Sequence, residues 1–432
     1  MGCLILLAVL MGRLAARFGL PNVVGELCTG VLLGPSVLAH LAPGVADWLL
    51  PRDPAQQHLL DASGQIGVLL LVGLTGAGLD LGLIRRRAVS AVSVSVAGVV
   101  IPTGLGICAG LLVPDSLVPA SADRSVFALF LGVAMGISAI PVIAKTLAEL
   151  GLLRHEIGRL ILCAVLVDDI VGWILLSVLS GLATHGARAQ TAVVSVLWVA
   201  TVVLVAAMAR PFVRRWLRGG EGTPRADTGP ACAVAVILLS AGATQAMGLE
   251  AVFGAFMGGM VVGGSTGLSS ERLAAVRTTT MTVLAPLFFA TAGLRIDLTA
   301  LTEPVVLLTG LAVLCVAVAG KFAGAYVGAR LGRLGHWEGL ALGAGMNARG
   351  VIEVVIAMVG LRLGVLSSAV YTIVVLVAIA TSLMAPPLLR ATMRRVRVEQ
   401  EVPGERVDPP VPCSSRNADA GRGGGPRTLN GH

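Results

Sequence analysis

Residues 164–173 read Ala-Val-Leu-Val-Asp-Asp-Ile-Val-Gly-Trp, and they place Asp168 and Asp169 inside an apolar run that extends from 159 to 182. A helix needs about 20 apolar residues to cross the roughly 30 Å hydrocarbon core of a bilayer, and this run is long enough. Carboxylates are rare inside such segments because burying their charge is costly, and they mark ion or proton pathways by default. The stretch therefore predicts a membrane-spanning helix that carries a functional site.

The composition of the whole chain agrees with a membrane setting. Of 432 residues, 56% are hydrophobic and only 13% are charged, about half the charged fraction of an average soluble protein. A soluble protein of this size would need far more charge to cover its surface. The net charge of +8 arises from short basic clusters between apolar runs. That pattern is typical of membrane topology and argues against a nucleic-acid-binding face.

The apolar runs predict an all-α polytopic membrane protein with about 13 transmembrane helices. The spans lie near 3–18, 21–40, 62–83, 88–113, 125–147, 159–182, 190–209, 229–247, 250–268, 278–295, 304–329, 338–361 and 364–389. The connections on one side hold 21 basic residues, whereas those on the other side hold Arg52, Arg124, Arg188, Arg295 and Arg362. Positive charge marks the cytoplasmic side. We therefore predict an inner (plasma) membrane protein with its N-terminus outside and its C-terminus in the cytoplasm.

The chain divides into one large domain and a short tail. Residues 1–392 hold all of the predicted spans, and we assign them to a single transmembrane domain. From residue 398 the sequence contains Pro-Pro and Arg-Gly-Gly-Gly-Pro and has no apolar periodicity. Such composition cannot build a packed core. We therefore predict that residues 393–432 form a disordered cytoplasmic tail.

Two pairs of spans share motifs that indicate an internal repeat. The second span contains Glu26-x3-Gly30-x3-Gly34, and the ninth contains Glu250-x3-Gly254-x3-Gly258. The third span ends in Gly78-Leu-Asp80-Leu81, and the tenth ends in Arg295-Ile-Asp297-Leu298. Each pair is seven spans apart, so related helices cross the membrane in opposite directions. Inverted repeats are characteristic of secondary transporters. Chance recurrence of small-residue packing motifs is the alternative explanation.

Other ionisable or helix-breaking residues lie inside the spans, at a depth close to that of the aspartates. The eleventh span contains Lys321, and the twelfth contains Arg349 and Glu353 one helical turn apart. Asp168 and Lys321 each lie nine residues from a cytoplasmic arginine, a rise of about 13 Å. Ser138 and Arg349 reach a similar level. We therefore predict that these side chains meet slightly on the cytoplasmic side of the bilayer centre.

Two spans contain polar, helix-breaking segments at equivalent places in the repeat. They are Ser138-Ala-Ile-Pro141 in the fifth span and Gly345-Met-Asn347-Ala-Arg349-Gly350 in the twelfth. Crossed broken helices bring opposed dipole ends together within the membrane, where Arg349 or a neighbouring acid can compensate them. We predict that these two spans are broken and cross each other.

In combination, these motifs resemble the monovalent cation:proton antiporters, specifically the branch with plant cation/proton exchangers and bacterial Kef-type and NapA-type carriers. The resemblance covers about residues 1–392 and rests on Pro21-Asn-Val-Val-Gly-Glu26, Gly34-Pro-Ser36, Ser138-Ala-Ile-Pro-Val-Ile-Ala-Lys145, Asp168-Asp169, Ala285-Pro-Leu-Phe-Phe-Ala-Thr-Ala-Gly293, Gly320-Lys321 and Gly345-Met-Asn-Ala-Arg-Gly350. It implies the NhaA/NapA-like antiporter fold, a homodimer, and secondary active exchange of Na⁺ or K⁺ for protons.

The resemblance also implies roles for individual residues. Asp169 looks like the ligand that binds proton and cation in turn, and Asp168 looks like the partner of Lys321. Ser138 belongs to the same ion-binding and proton-coupling set. Support of the broken helices is implied for Pro141, Asn347, Arg349 and Glu353. The Ser-Ala-Ile-Pro break resembles the plant exchangers and replaces the Thr-Asp-Pro break of some relatives.

Two other classes of protein are alternatives to an exchanger. An intramembrane aspartyl protease needs two aspartates that face each other from different helices, whereas Asp168 and Asp169 are adjacent on one helix. A Kef-type potassium efflux channel stays open as the alternative. We predict no enzymatic activity, no cofactor and no metal beyond the transported monovalent cation. The predicted partners are Na⁺ or K⁺, H⁺, the lipid bilayer and a second copy of the chain, without nucleic acid.

Overall fold

The computed structural model describes residues 1–34, 36–38, 42–44, 54–78, 88–152, 155–186, 189–218, 229–263 and 273–401. Within these ranges all regular secondary structure is helical, as predicted. The main helices are α1 (Gly2–Arg17), α2 (Asn22–Leu33), α3 (Pro54–Ala77), α4 (Ala88–Leu112), α5 (Arg124–Gly136), α6 (Ile140–Glu149), α7 (Glu156–His185), α8 (Ala189–Arg218), α9 (Gly229–Ala246), α10 (Ala251–Val262), α11 (Ala274–Thr279), α12 (Ala285–Leu294), α13 (Pro304–Leu331), α14 (His336–Met346), α15 (Val351–Arg362) and α16 (Ser368–Glu401).

Helix length supports fewer membrane spans than the sequence predicts. Among the described residues, seven helices are long and apolar enough to cross a bilayer, and α14 with α15 forms an eighth span that is bent by 49°. Helices α2, α5 and α10 are apolar but only 12 or 13 residues long, which is shorter than the roughly 20 residues that cross hydrocarbon alone. Length and composition therefore establish seven or eight spans and leave the predicted number of thirteen open.

The last helix extends further than the predicted domain boundary at residue 392. Helix α16 ends at Glu401, and Leu389, Met393 and Val396 are buried along it. Their spacing of four and three residues puts them on one face of a helix, a pattern that the surrounding arginines hide in the sequence. The helix therefore continues nine residues past the predicted boundary at residue 392. Residues 402–432 lie outside the described residues.

A first group of helices packs through close glycine contacts. Helix α2 lies against α12, where a Cβ on Gly30 would stand 2.1 Å from the carbonyl oxygen of Ala290. Helix α3 lies against α10, where a Cβ on Gly259 would stand 1.9 Å from the carbonyl oxygen of Gly73. Helices α1 and α9 complete the group by packing on α2 and α10. Side chains larger than glycine would force these helices apart.

A second group surrounds the aspartate pair. Helix α4 packs along α13 and α5, and α13 continues into contacts with α14 and α16. Helix α7 lies against α4, α5, α6, α14 and α15 and also contacts α8 and α10. Asp168 and Asp169 therefore lie on the helix that the second group encloses.

Both predicted breaks are present, and they adjoin each other. Helix α5 ends at Gly136 and α6 begins at Ile140, while α14 ends at Met346 and α15 begins at Val351. The backbone N–H of Ala139 donates to the carbonyl oxygen of Ala348 at 3.0 Å. The unpaired backbone groups at the two breaks thus satisfy each other in part, as buried polar backbone must.

Candidate ion-binding and proton-coupling site

Asp168 is fully buried, and both of its carboxylate oxygens are occupied. Lys321 Nζ donates to Asp168 Oδ2 at 2.9 Å and to the carbonyl oxygen of Gly98 at 3.0 Å. Ser95 Oγ donates to Asp168 Oδ1 at 2.9 Å, and Ser138 Oγ lies 3.0 Å from Oδ2. The pairing of Asp168 with Lys321 that the resemblance implies is thus present. A buried charge pair needs hydrogen bonds to its remaining donors and acceptors, and Ser95 and the carbonyl oxygen of Gly98 supply two of them.

Ser138 lies where the aspartate helix meets the second break. Its hydroxyl is 2.6 Å from the carbonyl oxygen of Met346, the last residue of α14, and 3.0 Å from Asp168 Oδ2. A hydroxyl carries one proton and donates to one acceptor at a time. The residue therefore lies between Asp168 on α7 and the end of α14, within hydrogen-bond distance of both.

Asp169 is buried in the same region but bonded differently. Its exposed fraction is 2%, and within the described residues its Oδ1 has no hydrogen-bond partner. The backbone N–H of Ile140, at the start of α6, hydrogen-bonds to the carboxylate. Successive helix residues point about 100° apart, which separates Asp169 from the lysine that Asp168 binds. A buried carboxylate oxygen without a donor is costly, and a proton or a cation would satisfy it.

Arg349 caps the first half of the broken α5–α6 span. Its guanidinium donates from Nη1 to the carbonyl oxygen of Ala134 at 2.7 Å and from Nη2 to that of Met135 at 2.6 Å. Nη2 also lies 3.3 Å from the carbonyl oxygen of Ala317 on α13. The C-terminus of a helix carries partial negative charge, which a cation stabilises. The implied role in supporting the broken helices is consistent with these contacts.

The other three support residues lie at or beside the breaks. The backbone N–H of Gly350 donates to Glu353 Oε2 at 2.7 Å, so the carboxylate caps the start of α15. Asn347 is fully buried at the end of α14, and neither its amide nor Glu353 Oε1 has a partner among the described residues. Pro141 lies in the first turn of α6, and its side chain is outside the described residues.

Sequence reasoning missed two ligands of the charge pair. Ser95 lies on α4, 73 residues before Asp168, and Gly98 contributes only a carbonyl oxygen. The serines at 93 and 95 were a weak signal, since the same span also contains Ser90 and Thr103 and a serine often bonds to its own helix. The described residues contain no group of three or more His, Cys, Asp or Glu side chains placed to hold a metal ion.

Replacing Arg349 by lysine keeps the positive charge at the end of α5 but removes the paired hydrogen bonds of the guanidinium group. We expect Arg349→Lys to lower the free energy of unfolding by about 1.5–3 kcal/mol, the contribution of a hydrogen bond to a charged group, because an ammonium group cannot reproduce the planar fork. Thermal melts in detergent measure this. Arg330→Lys is the matched control, since Arg330 is exposed and donates to one carbonyl, that of Leu334. Equal melting of both variants would contradict the capping role.

Comparison with known proteins identifies the family. The family profile "Sodium/hydrogen exchanger, transmembrane" matches residues 4–395. The Na(+)/H(+) antiporter NhaS4 of Synechocystis sp. is 34% identical over 386 residues, which cover 89% of this chain and 93% of that protein. Cation/H(+) antiporter 20 of Arabidopsis thaliana is 32% identical over 399 residues, which cover 87% of this chain but 46% of that longer protein.

A solved structure shows the same fold at much lower identity. The sodium proton antiporter MjNhaP1 from Methanocaldococcus jannaschii matches with a TM-score of 0.65, covering 91% of this chain and 96% of that chain at 14% identity. The helical fold, the two broken helices and the buried charge site together define a polytopic membrane transporter. The chain belongs to the sodium/hydrogen exchanger family. The prediction of a cation:proton antiporter is thereby confirmed, and the family is one of transporters rather than enzymes.

Proposed function

We propose that this protein exchanges a monovalent cation, Na⁺ or K⁺, for protons across a membrane, and that Asp169 is the carboxylate that binds either cargo. The observation that carries the proposal is the difference in hydrogen bonding between the adjacent carboxylates of Asp168 and Asp169. Both oxygens of Asp168 are occupied by Lys321 and two serines, whereas Asp169 Oδ1 is buried without a partner. Membership in the exchanger family supports the same reaction.

Charge balance explains why cation and proton would compete. Asp168 and Lys321 compensate each other, so an ionised Asp169 leaves a negative charge that the buried site disfavours. Either a proton or a monovalent cation neutralises that charge, and one carboxylate oxygen cannot hold both. Binding of one cargo therefore releases the other. Ser138, which lies between Asp168 and the α14 break, belongs to the set that positions this exchange.

We propose thirteen spans arranged as an inverted repeat. The packing supports it: the second span (α2) lies on the tenth (α12), and the third (α3) lies on the ninth (α10), each through glycines. The repeat relates the second span to the ninth and the third span to the tenth. It therefore relates the contact between the second and tenth spans to the contact between the ninth and third spans, as a two-fold axis in the membrane plane requires. Asp80, part of the third-span motif, lies outside the described residues.

The remaining assignments follow from the charge distribution and the resemblance. The bias of basic residues supports an N-terminus outside and a C-terminus in the cytoplasm of the plasma membrane. The resemblance supports a homodimer that holds its first helix group fixed while a core with the two broken helices moves. We propose residues 1 to about 401 as the exchanger domain, because α16 continues to Glu401.

A preformed pH gradient in vesicles tests the proposed exchange. We expect added Na⁺ or K⁺ to dissipate an acid-inside gradient in everted vesicles that contain the protein, because the cation displaces protons from the shared carboxylate. The fluorescence of a pH-sensitive dye reports the change, with protein-free vesicles and choline chloride as controls. No response to any monovalent cation would contradict the proposal. A cation flux that ignores the pH gradient would instead indicate a channel.

A further inference from the structure

A polar cluster joins the two helix groups at one end of the molecule. Arg362 Nη2 donates to Glu250 Oε1 at 3.0 Å and to Oε2 at 3.2 Å, and Arg362 Nη1 donates to Gln65 Oε1 at 3.1 Å. Glu250 directly precedes α10 and Gln65 lies on α3, both in the first group, while Arg362 ends α15 in the second group. The Glu250–Arg362 pair therefore crosses between the groups.

The aspartate helix takes part in the same cluster. Ser180 Oγ on α7 donates to Glu250 Oε1 at 3.2 Å, and the backbone N–H of Glu250 donates to Ser177 Oγ at 3.2 Å. Ser177 lies eight residues after Asp169 on one continuous helix, a rise of about 12 Å. A shift of α7 along its axis relative to the first group would therefore stretch the contacts of Ser177 and Ser180 with Glu250.

A second pair of contacts closes the same end. Tyr371 on α16 donates its hydroxyl to the carbonyl oxygen of Ala292 on α12 at 2.7 Å. The backbone N–H of Asp297 donates to Thr372 Oγ1 at 3.0 Å. Helix α16 belongs to the second group and α12 to the first, and both contacts lie at the end of the molecule that holds few arginines. The charge bias places that end outside.

We propose that Glu250 and Arg362 form a latch at the outer end of the transport pathway. One carboxylate site serves both sides of a membrane only when access to it alternates, so the latch holds in the state that faces inward and opens in the state that faces outward. This inference rests on the proposed exchange and orientation.

The exposure of the pair suits a contact that breaks in every cycle. The Glu250 side chain is 5% exposed and the Arg362 side chain is 43% exposed. The Arg362 side chain is already partly hydrated in the pair, which lowers the cost of separating the two charges. A fully buried pair such as Asp168–Lys321 resists separation far more strongly. The cluster can therefore favour the state in which the ion site is closed to the outside and still open in each transport cycle.

The chain offers a matched control at the same end. Arg295 Nη2 lies 2.8 and 2.9 Å from the two oxygens of Asp61. This pair has the same chemistry and is also partly exposed, but both residues belong to the first group, at the end of α12 and on α3. It should stay intact throughout the cycle.

Crosslinking the two pairs tests the latch. In a variant whose seven native cysteines are replaced by serine or alanine, Glu250→Cys with Arg362→Cys and Asp61→Cys with Arg295→Cys are each treated with a short bifunctional maleimide. A protease site between residues 264 and 272 reports the crosslinked fraction, because both crosslinks span it. We expect exchange by the 250–362 pair to fall in proportion to crosslinking, and the 61–295 pair to retain its rate. Unchanged exchange by crosslinked 250–362 protein would overturn the latch.

A second measurement needs no cysteines. We expect Glu250→Gln to shift the ratio of the half-saturating cation concentrations at the two membrane faces by about two- to fivefold, the range for losing a partly exposed ion pair. Asp61→Asn should leave the ratio unchanged. The same ratio in both variants and the wild type would overturn the latch. Failure of the proposed function is distinguishable, because wild-type vesicles would then show no exchange.

Discussion

Asp169→Asn should abolish both cation binding and exchange while leaving a folded protein. Asparagine has nearly the same shape but neither releases a proton nor offers a negative charge to a cation, so both halves of the exchange are lost. The fold should tolerate the change because Asp169 Oδ1 has no hydrogen-bond partner among the described residues, and an uncompensated buried charge is removed. Cation-driven decay of a pH gradient measures exchange, and cation-dependent protection against thermal unfolding measures binding.

The control for this variant is the same chemical change at an acid outside the site. Asp61→Asn alters a partly exposed aspartate that bonds to Arg295, and we expect it to exchange at nearly the wild-type rate. Normal exchange by Asp169→Asn would show that another group carries the proton. Loss of exchange together with a large drop in melting temperature would show that Asp169 has a structural role instead.

The charged part of the site was predictable because ionisable residues are rare inside spans. Asp168, Lys321 and Arg349 stand out from apolar surroundings, and a rise of about 1.5 Å per residue places them at one depth. The breaks were predictable too, since a polar Ser138 three residues before Pro141 interrupts a run that otherwise reads as helix. The resemblance added the pairing of Asp168 with Lys321, which the spacing alone does not give.

The contacts that the sequence did not reveal join segments that are far apart in the chain. The residues that make them, such as serine, do not by themselves indicate a particular partner. Ser95 bonds to Asp168, but a serine in an apolar helix usually bonds to its own backbone. Glu250 served as a marker of the repeat, and nothing in the sequence points to Arg362 as its partner. Helix α16 was predicted to stop early because Met393 and Val396 alternate with arginines. Three-dimensional packing decides each of these features.

The Asp168–Lys321 pair should dominate the stability of the core. We expect Lys321→Ala to lower the free energy of unfolding by about 3–5 kcal/mol, the typical result of removing one partner of a buried pair. Asp168 would keep only the hydroxyl groups of Ser95 and Ser138, which do not compensate a full charge. Thermal melts of the variant and the wild type in detergent measure the loss.

The double variant Asp168→Asn with Lys321→Gln tests whether the loss comes from the orphaned charge. Both charges disappear, while the amide groups can still bond to the serine hydroxyls and to the carbonyl oxygen of Gly98, which now accepts from Lys321 at 3.0 Å. Removing both charges together leaves no unpaired charge in the core, so the double variant should melt well above Lys321→Ala. Exchange need not return with stability, because the double variant also changes the charges that lie beside Asp169. A double variant that melts no higher than Lys321→Ala would show that the lysine stabilises the core through packing and its bond to Gly98 rather than through Asp168.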